Sequence, residues 1–520
     1  MNLKINNLIC LVLLSFISFT VNYYYGSLGV LPIDTFAFFD TGYRLNNGDL
    51  PFKDYWTISG PFIDILQSFY FYIFGYSWKS YILNGSIINL IFTVISYCFF
   101  KNIGLDYRYA FFYASCVAFL ANPSMGTPFP DHYSAFFSLL AIISFLYAIK
   151  YKKDIFWFCI PILLCIAFFC KQTPAAYVII FFLFNFAIYF LFEKNLEFIK
   201  PVIYGALVSF LLLIIFILKN EIDLQSIITQ YFLYPRTIGL TRINELGFSF
   251  NKFISNYKLI YIVLLPLVGI SLFNFFSNKE IFIKENLLIN FNIIFFTIIL
   301  MFHQWLTLNF IFIFFLIPYM CSIIHKNFIK KKLFNIVSIL LLSLCLVATI
   351  KYHFRFNEER KMIHLENVDL KNYFDAGEIF PQLKGLKWVT KDYNSNIEGE
   401  KERLNIFHKI LKEEEKEIMF LSNYQFYSII LDKDLHSPNR WYGGVVAHPK
   451  KDNPFYQDYL IFIHNLILKN KIEIILMDQK LGEYHIDLFE EILKKFPTEC
   501  SKINRLNDML ISYEIINCHK

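Results

Sequence analysis

Charge is what this chain has least of. Charged residues make up 17% of its 520 residues, whereas an ordinary soluble domain carries about 25%. With 56% hydrophobic residues it is not a disordered chain, and the placing of its few charges excludes a water-soluble enzyme. Glycine (19) and proline (17) are sparse, which excludes a collagen-like rod. The ten cysteines form no CxxC and no Cys/His metal spacing, so a disulfide scaffold and a zinc site both lack their signature. No GxGxxG or P-loop pattern occurs, and no Lys/Arg stripe resembles a phosphate-tracking surface. Soluble nucleotides and nucleic acid are therefore not expected partners.

What the chain has instead is a long apolar body ahead of a polar tail. Residues 351–520 hold 52 of the 90 charges, and the first 350 residues hold 38. A bilayer-spanning helix needs about 20 mostly apolar residues. Eleven runs meet or approach that length: 6–26, 80–100, 108–121, 133–149, 155–170, 174–192, 201–218, 257–276, 286–302, 305–324 and 333–350. The runs 108–121 and 155–170 are short. The first run is read as an anchor and not a cleaved leader, because Tyr23, Tyr24 and Tyr25 stand where small residues would mark cleavage. The expected fold is mainly α: a polytopic helical membrane bundle over 1–350 and a small α/β domain over 351–520. With the N-terminus inside, Lys101, Arg108, Lys150, Lys194, Lys279 and Lys330 fall in short loops on one side, as cytoplasmic loops should. The odd span count then sends loops 27–79 and 219–256, and the whole tail, to the opposite side; one miscounted span would return the tail. Eight cysteines lie in apolar runs and read as small buried hydrophobes. Cys500 and Cys518 would pair if the tail faces an oxidising compartment.

The outward loops carry more polar groups than solubility requires. The first holds Asp34 and Asp40, then Gly48-Asp49-Leu50-Pro51-Phe52-Lys53-Asp54, then Gly60-Pro61. The stretch 61–75 is apolar and aromatic, broken by Asp64 and Gln67, and reads as an amphipathic helix in the membrane interface. A short loop ends in Pro128-Phe129-Pro130-Asp131-His132, another is Lys171-Gln172-Thr173, and His303-Gln304 lies between two apolar runs. The second long loop carries Arg236 and Arg242 in the turn-rich segment 234–242. Each of these has a plainer use. Asp34 and Asp131 stand where a helix N-cap belongs, Lys171 where a lysine snorkels, and the arginines where lipid headgroups bind. A lone His303 is ordinarily a satisfied structural residue, and Asp54 reads first as a hydrogen-bond acceptor for its own loop.

Taken in order, these features resemble a bacterial GT-C superfamily glycosyltransferase, the membrane class that contains protein O-mannosyltransferases and aminoarabinose transferases. The resemblance rests on Asp34 after the first span, the Gly48, Pro51, Phe52 and Asp54 element, Gly60-Pro61 opening an interfacial helix, the loop ending in Asp131-His132, and the Lys171-Gln172 pair. Together they cover roughly residues 1–330, and the tail adds little. One departure concerns the first loop: many relatives have two adjacent acids there, whereas Asp34 is followed by Thr35 and the next acid is Asp40. The choice of catalytic carboxylate is thus open between the two.

The resemblance implies transfer of a sugar from a polyprenyl-phosphate donor to a glycan, glycolipid or protein acceptor at the outer face of a bacterial cytoplasmic membrane. An acceptor hydroxyl is a poor nucleophile, and a carboxylate in hydrogen-bond reach accelerates its attack by about 10²–10⁴-fold. Asp34, or Asp40, is the candidate base. The leaving lipid phosphate needs cationic donors, for which Lys171, Arg236 and Arg242 are candidates. Asp131, His132, Gln172, His303 and Gln304 are candidates to bind or orient substrate. A divalent cation would want several oxygen ligands, which Asp34, Asp40 and Asp131 would supply if close in space; metal dependence is left open. Two other readings compete. An O-antigen polymerase or ligase would keep essential arginines in a large outer loop. A lipid-linked sugar flippase would put ionisable residues at mid-bilayer in repeated halves, which the nearly charge-free runs do not show. In the tail, Glu417–Leu421 and Ile472–Met477 read as strands and the runs 401–417 and 455–471 as helices. Trp441-Tyr442-Gly443-Gly444 reads as a turn or a sugar-contacting loop.

Overall fold

The computed structural model describes residues 2–121, 126–194, 196–247, 250–277, 285–308, 312–329, 331–362, 364–392, 396–443, 446–494, 501–505 and 509–515. Each of the eleven apolar runs contains a helix: Asn2–Gly26, Trp78–Asn102, Tyr107–Leu120, Pro130–Tyr151, Asp154–Cys170, Gln172–Glu193, Ile199–Lys219, Phe250–Ser277, Glu285–Thr307, Leu316–Phe328 and Phe334–Phe354. Among the described residues, eight of them are long and apolar enough to cross a membrane. Tyr107–Leu120, Asp154–Cys170 and Leu316–Phe328 fall short. The run 305–324 is the one the structure redraws. No glycine or proline interrupts 286–307, so one helix continues through His303 and Gln304 to Thr307. Leu308 is left-handed, with a φ of 57°, and a 3₁₀ turn, Ile313–Phe315, leads into the α-helix Leu316–Phe328.

The chain forms two compact units, each drawn from three segments. The first comprises Met1–Ser27, Ile82–Ile215 and Glu245–Asn367. Its helices begin and end where side-chain chemistry directs. Asp106 caps Tyr107–Leu120 by accepting from the Arg108 amide at 3.0 Å. Pro130 opens its helix at the position where a missing N–H is harmless. Lys152, left-handed at φ 51°, reverses the chain into Asp154–Cys170, and Ser144 donates across that hairpin to the Phe156 carbonyl at 2.8 Å. Two close approaches need glycine. A Cβ on Gly205 would lie 2.2 Å from the Phe158 carbonyl oxygen, and one on Gly126 (φ +64°) would lie 2.2 Å from the Gly26 nitrogen. Asn22 reinforces the second contact by donating to the Gly126 carbonyl at 2.9 Å.

The outer flanks of this unit are apolar. Phe210, Leu211, Leu212 and Ile215, then Phe273 and Phe276, then Ile339, Leu340 and Val347, are all exposed. Only 11% of the most apolar window of Ile199–Lys219 is buried. Soluble proteins do not expose contiguous apolar surface on that scale, and a hydrocarbon-facing wall does. The protein is accordingly read as a membrane protein. Of the cysteines, Cys10, Cys116, Cys170, Cys321 and Cys345 are buried, Cys159 and Cys165 half-buried, and Cys98 exposed.

The second unit joins Leu28–Tyr81, Phe216–Asn244 and Val368–Lys520. Its centre is a four-stranded sheet in the order Ile418–Leu421, Ile474–Asp478, Leu510–Ile515, Ser501–Arg505. The first pair is parallel and the other two antiparallel. The helices Ile397–Glu413, Tyr456–Lys469 and Glu483–Leu493 accompany it, so the tail is α/β as expected. Tyr459, Ile463, Ile475, Phe489 and Tyr513 share its hydrophobic core with Trp56 and Tyr234 from the two earlier segments. Helix Phe62–Phe74 buries Ile63, Asp64, Gln67 and Phe71 and exposes Phe69, Tyr72 and Ile73, the two-faced pattern its sequence predicts. The segment 234–242 is not a turn. It lies in helix Tyr234–Asn244, which continues without a break from Leu224–Ile227 through the π-helical turn Ile228–Leu233 just ahead of Pro235, and Thr237 donates back to the Tyr234 carbonyl at 2.7 Å. Cys500, Cys518 and Gly444 lie outside the described residues.

Candidate functional site

Three of the sequence-selected residues meet in the first unit. Asp131 is the second residue of helix Pro130–Tyr151, Lys171 separates Asp154–Cys170 from Gln172–Glu193, and His303 lies near the end of Glu285–Thr307. Asp131 does not cap its helix: Phe129 is the N-cap residue and no side chain bonds there. The carboxylate is used elsewhere. Its Oδ2 accepts from Lys171 Nζ at 2.6 Å, and its Oδ1 lies 2.8 Å from His303 Nε2. An ionised carboxylate has no proton to give, so Nε2–H of His303 is the donor. Ser134, one turn on, donates to the Lys171 carbonyl at 3.2 Å and fixes the helix break against this helix.

Burial ranks the three. Asp131 and His303 are enclosed, whereas the Lys171 side chain remains 27% exposed. An ammonium has three donors, and the Asp131 bond uses one. The arrangement therefore presents a partly open cation held by a buried carboxylate–imidazole pair. An ammonium so held has donors with which it can meet one anionic oxygen group, beside an imidazole whose orientation is fixed.

Two neighbours have buried polar atoms to spare. His132 is fully enclosed, its ring centroid 5.4 Å from Phe312, 5.5 Å from Phe129 and 6.2 Å from Phe136. Neither of its ring nitrogens, and neither amide atom of the enclosed Gln304, has a hydrogen-bond partner among the described residues. Such groups cost about 1–3 kcal/mol each when left unmet. Phe312 also lies 6.2 Å from the His303 ring, so one aromatic side chain borders both imidazoles. The sequence offered no signal for Phe312 within an apolar run. Gln172 is half-buried at the start of its helix.

The remaining candidates belong to the second unit. Asp34 is the third residue of the four-residue helix Pro32–Thr35 and is half-buried. It is not a cap either, since Leu31 is the N-cap residue and its amide bonds to Thr35 Oγ1 at 2.8 Å. Asp40 is buried. It accepts from the Ser428 hydroxyl through Oδ1, and Oδ2 stands 3.9 Å from Arg44 Nη1. Burial pushes its carboxyl up to about 6, against the opposing pull of Arg44 and Ser428. Beside it is a cavity of about 10 Å³, lined by Asp40, Arg44, Ser428 and Ser437, room for a single water molecule. Arg44 is held by Asp49 at 2.8 Å and the Ser437 carbonyl at 2.7 Å. Ser428 is 388 residues from Asp40 in sequence, and nothing local in the chain announces that pairing.

Arg236 is exposed and Arg242 half-buried on Tyr234–Asn244. Asp54 is structural, as read: its Oδ2 accepts from the Leu50 amide at 2.9 Å and its Oδ1 pairs with Lys469. Tyr442 is structural too, its hydroxyl 2.8 Å from Ser437 Oγ and its amide donating to Asn423 at 2.8 Å. Among the described residues, no group of three or more His, Cys, Asp or Glu side chains is placed to hold a metal ion. Compared with known proteins, the chain matches no family model and no curated sequence.

Proposed function

We propose that this protein is an integral membrane glycosyltransferase that moves a sugar from a polyprenyl-phosphate donor to a cell-envelope acceptor. The observation that carries the reading is the convergence of Asp131, Lys171 and His303 from separate helix ends. It puts a positioned, partly open cation at a helix boundary, as a lipid phosphate requires. The ordered set of loop residues that resembles the GT-C class supplies the rest. In the proposed reaction the acceptor oxygen attacks the anomeric carbon and the carbon–oxygen bond to phosphate breaks with inversion. The acceptor proton passes to a carboxylate, for which Asp34 is the first candidate, and the polyprenyl phosphate departs with its negative charge; Lys171 is the candidate cation for that phosphate. Asp131 and His303 act as positioning residues that hold the lysine. Asp40 is the second candidate for the base, and its enclosure by Ser428 and Arg44 favours Asp34, which is more exposed. The setting proposed is a bacterial cytoplasmic membrane with eleven crossings and the tail outside.

The test is transfer of label from a radiolabelled polyprenyl-phosphate sugar in membranes holding the wild-type protein, Asp34→Asn or Lys171→Ala. Both substitutions should lower transfer by at least about 10²-fold with insertion and expression unchanged. Normal transfer by Asp34→Asn would remove the base assignment, and normal transfer by Lys171→Ala would remove the phosphate site.

A further inference from the structure

The second unit contains a cleft that plays no part in the reaction above. Its volume is about 490 Å³, within the range of small-molecule sites. All three segments of the unit line it: Lys53 and Trp56 from the first, Glu221 to Gln230 from the second, and Asp458 to Lys469 from the third.

The charges of the wall select a class of ligand. Glu221, Asp223 and Asp458 are exposed carboxylates on it. Its two lysines, Lys53 beside the Asn220 carbonyl at 3.0 Å and Lys469 paired with Asp54, offset only part of that negative charge. The carboxylates outnumber the lysines, so the wall disfavours phosphates and acidic sugars. Gln225 and Asn465 add exposed amides, each both donor and acceptor, which suit paired hydroxyl groups. The opposite character comes from Phe462, half-buried, and from Trp56, which packs on it with ring centroids 5.7 Å apart. Trp56 is 2% exposed, and its indole N–H has no hydrogen-bond partner among the described residues. A buried indole N–H ordinarily finds an acceptor.

We infer that this cleft binds a saccharide that carries no acidic group, through hydroxyls on its amides and carboxylates and a C–H face on Phe462. A neutral or amino sugar supplies alternating hydroxyl donors and acceptors and a ligand acceptor for the Trp56 N–H, and it escapes the repulsion that disfavours phosphate. The cleft shares no residue with the Asp131, Lys171 and His303 cluster, so it stands or falls without the transfer reaction.

The measurement is saturation-transfer difference NMR on the full-length protein in a detergent that contains no sugar. The probes are glucose, glucosamine, their β1,4-linked disaccharides and glucuronate. Glucose or glucosamine, or a disaccharide of either, should receive saturation, and glucuronate should not. The double variant Gln225→Ala, Asp458→Asn should weaken binding by about tenfold, the loss expected for two hydrogen-bonding groups, while Glu402→Gln, outside the cleft wall, should not. Lys171→Ala should leave binding intact. No saturation of any sugar, equal saturation of glucuronate, or unchanged binding by the double variant would each overturn the assignment.

Discussion

Asp40 and Asp131 are both buried carboxylates, and the protein neutralises them differently. Asp131 has two cationic or potentially cationic partners at hydrogen-bond distance, whereas Asp40 has one hydroxyl bond and an arginine 3.9 Å away. Removing the carboxylate in Asp131→Ala leaves Lys171 and His303 facing each other without it. A broken buried pair costs about 3–5 kcal/mol, and the 27% exposure of Lys171 sets the lower end of that range. Thermal unfolding in detergent should place both Asp131→Ala and Lys171→Ala well below wild type, and a wild-type melting point for either would contradict the triad. Asp40 gives a pH signature. Its folded carboxyl titrates near 6, above the ordinary 3.8, so between those values the folded state holds a proton the unfolded chain has released. Stability contributed by this group therefore falls as pH rises from about 4 to about 6, by a few kcal/mol at most, and is flat above. Asp40→Asn removes that slope, so its melting point should gain on wild type across that window. A difference independent of pH would mean that the carboxylate is not held this way. Asp131 and Lys171 were legible as candidates from their places beside apolar runs. Arg440 was not: it pairs with Asp64 and Ser59, fully buried, across more than 370 residues, and its own neighbourhood reads as a plain loop.

The helices were legible because hydrophobic runs of this length have few alternatives in either water or lipid. Their ends were less so. His303 and Gln304 look like a break, yet both are buried inside a continuing helix, because neither residue type stops a helix as glycine or proline would. Helix Tyr107–Leu120, at 14 residues, is about 21 Å long against about 30 Å of hydrocarbon. The proposed eleven crossings thus require the membrane to thin or neighbouring helices to shield its ends. Alkaline phosphatase fused to the tail should be active and the same reporter placed at Lys152 silent; an inactive tail fusion would mean an even number of crossings. Gly205 tests how the helices pack. Its Cβ would collide with the Phe158 carbonyl and with Pro161, so Gly205→Leu must push Ile199–Lys219 away from Asp154–Cys170. A loss of several degrees in melting temperature is expected, with Gly269→Leu, in open space, as the silent comparison.

At the scale of the whole molecule, composition divides the chain near residue 350, and the polar α/β character of the tail was legible from it. Composition did not reveal that residues 28–81 and 216–244 belong to the same compact unit as the tail, because pairings such as Trp56 with Tyr459 and Lys469 with Asp54 leave no mark in either local stretch. A fragment of residues 351–520 expressed alone should consequently fail to form a stable fold. It loses Trp56 and Tyr234 from its core and leaves Arg440 buried without Asp64. A soluble fragment with dispersed amide NMR signals would show that the tail is self-sufficient. The threading of this unit also sets an order of biosynthesis. Asp64 is made early and its guanidinium partner nearly last, with most of the apolar helices translated in between. Each nascent copy must therefore carry an unfinished carboxylate through nearly its entire translation, and any ribosome that stops short of residue 440 releases a protein whose oldest segment never closes.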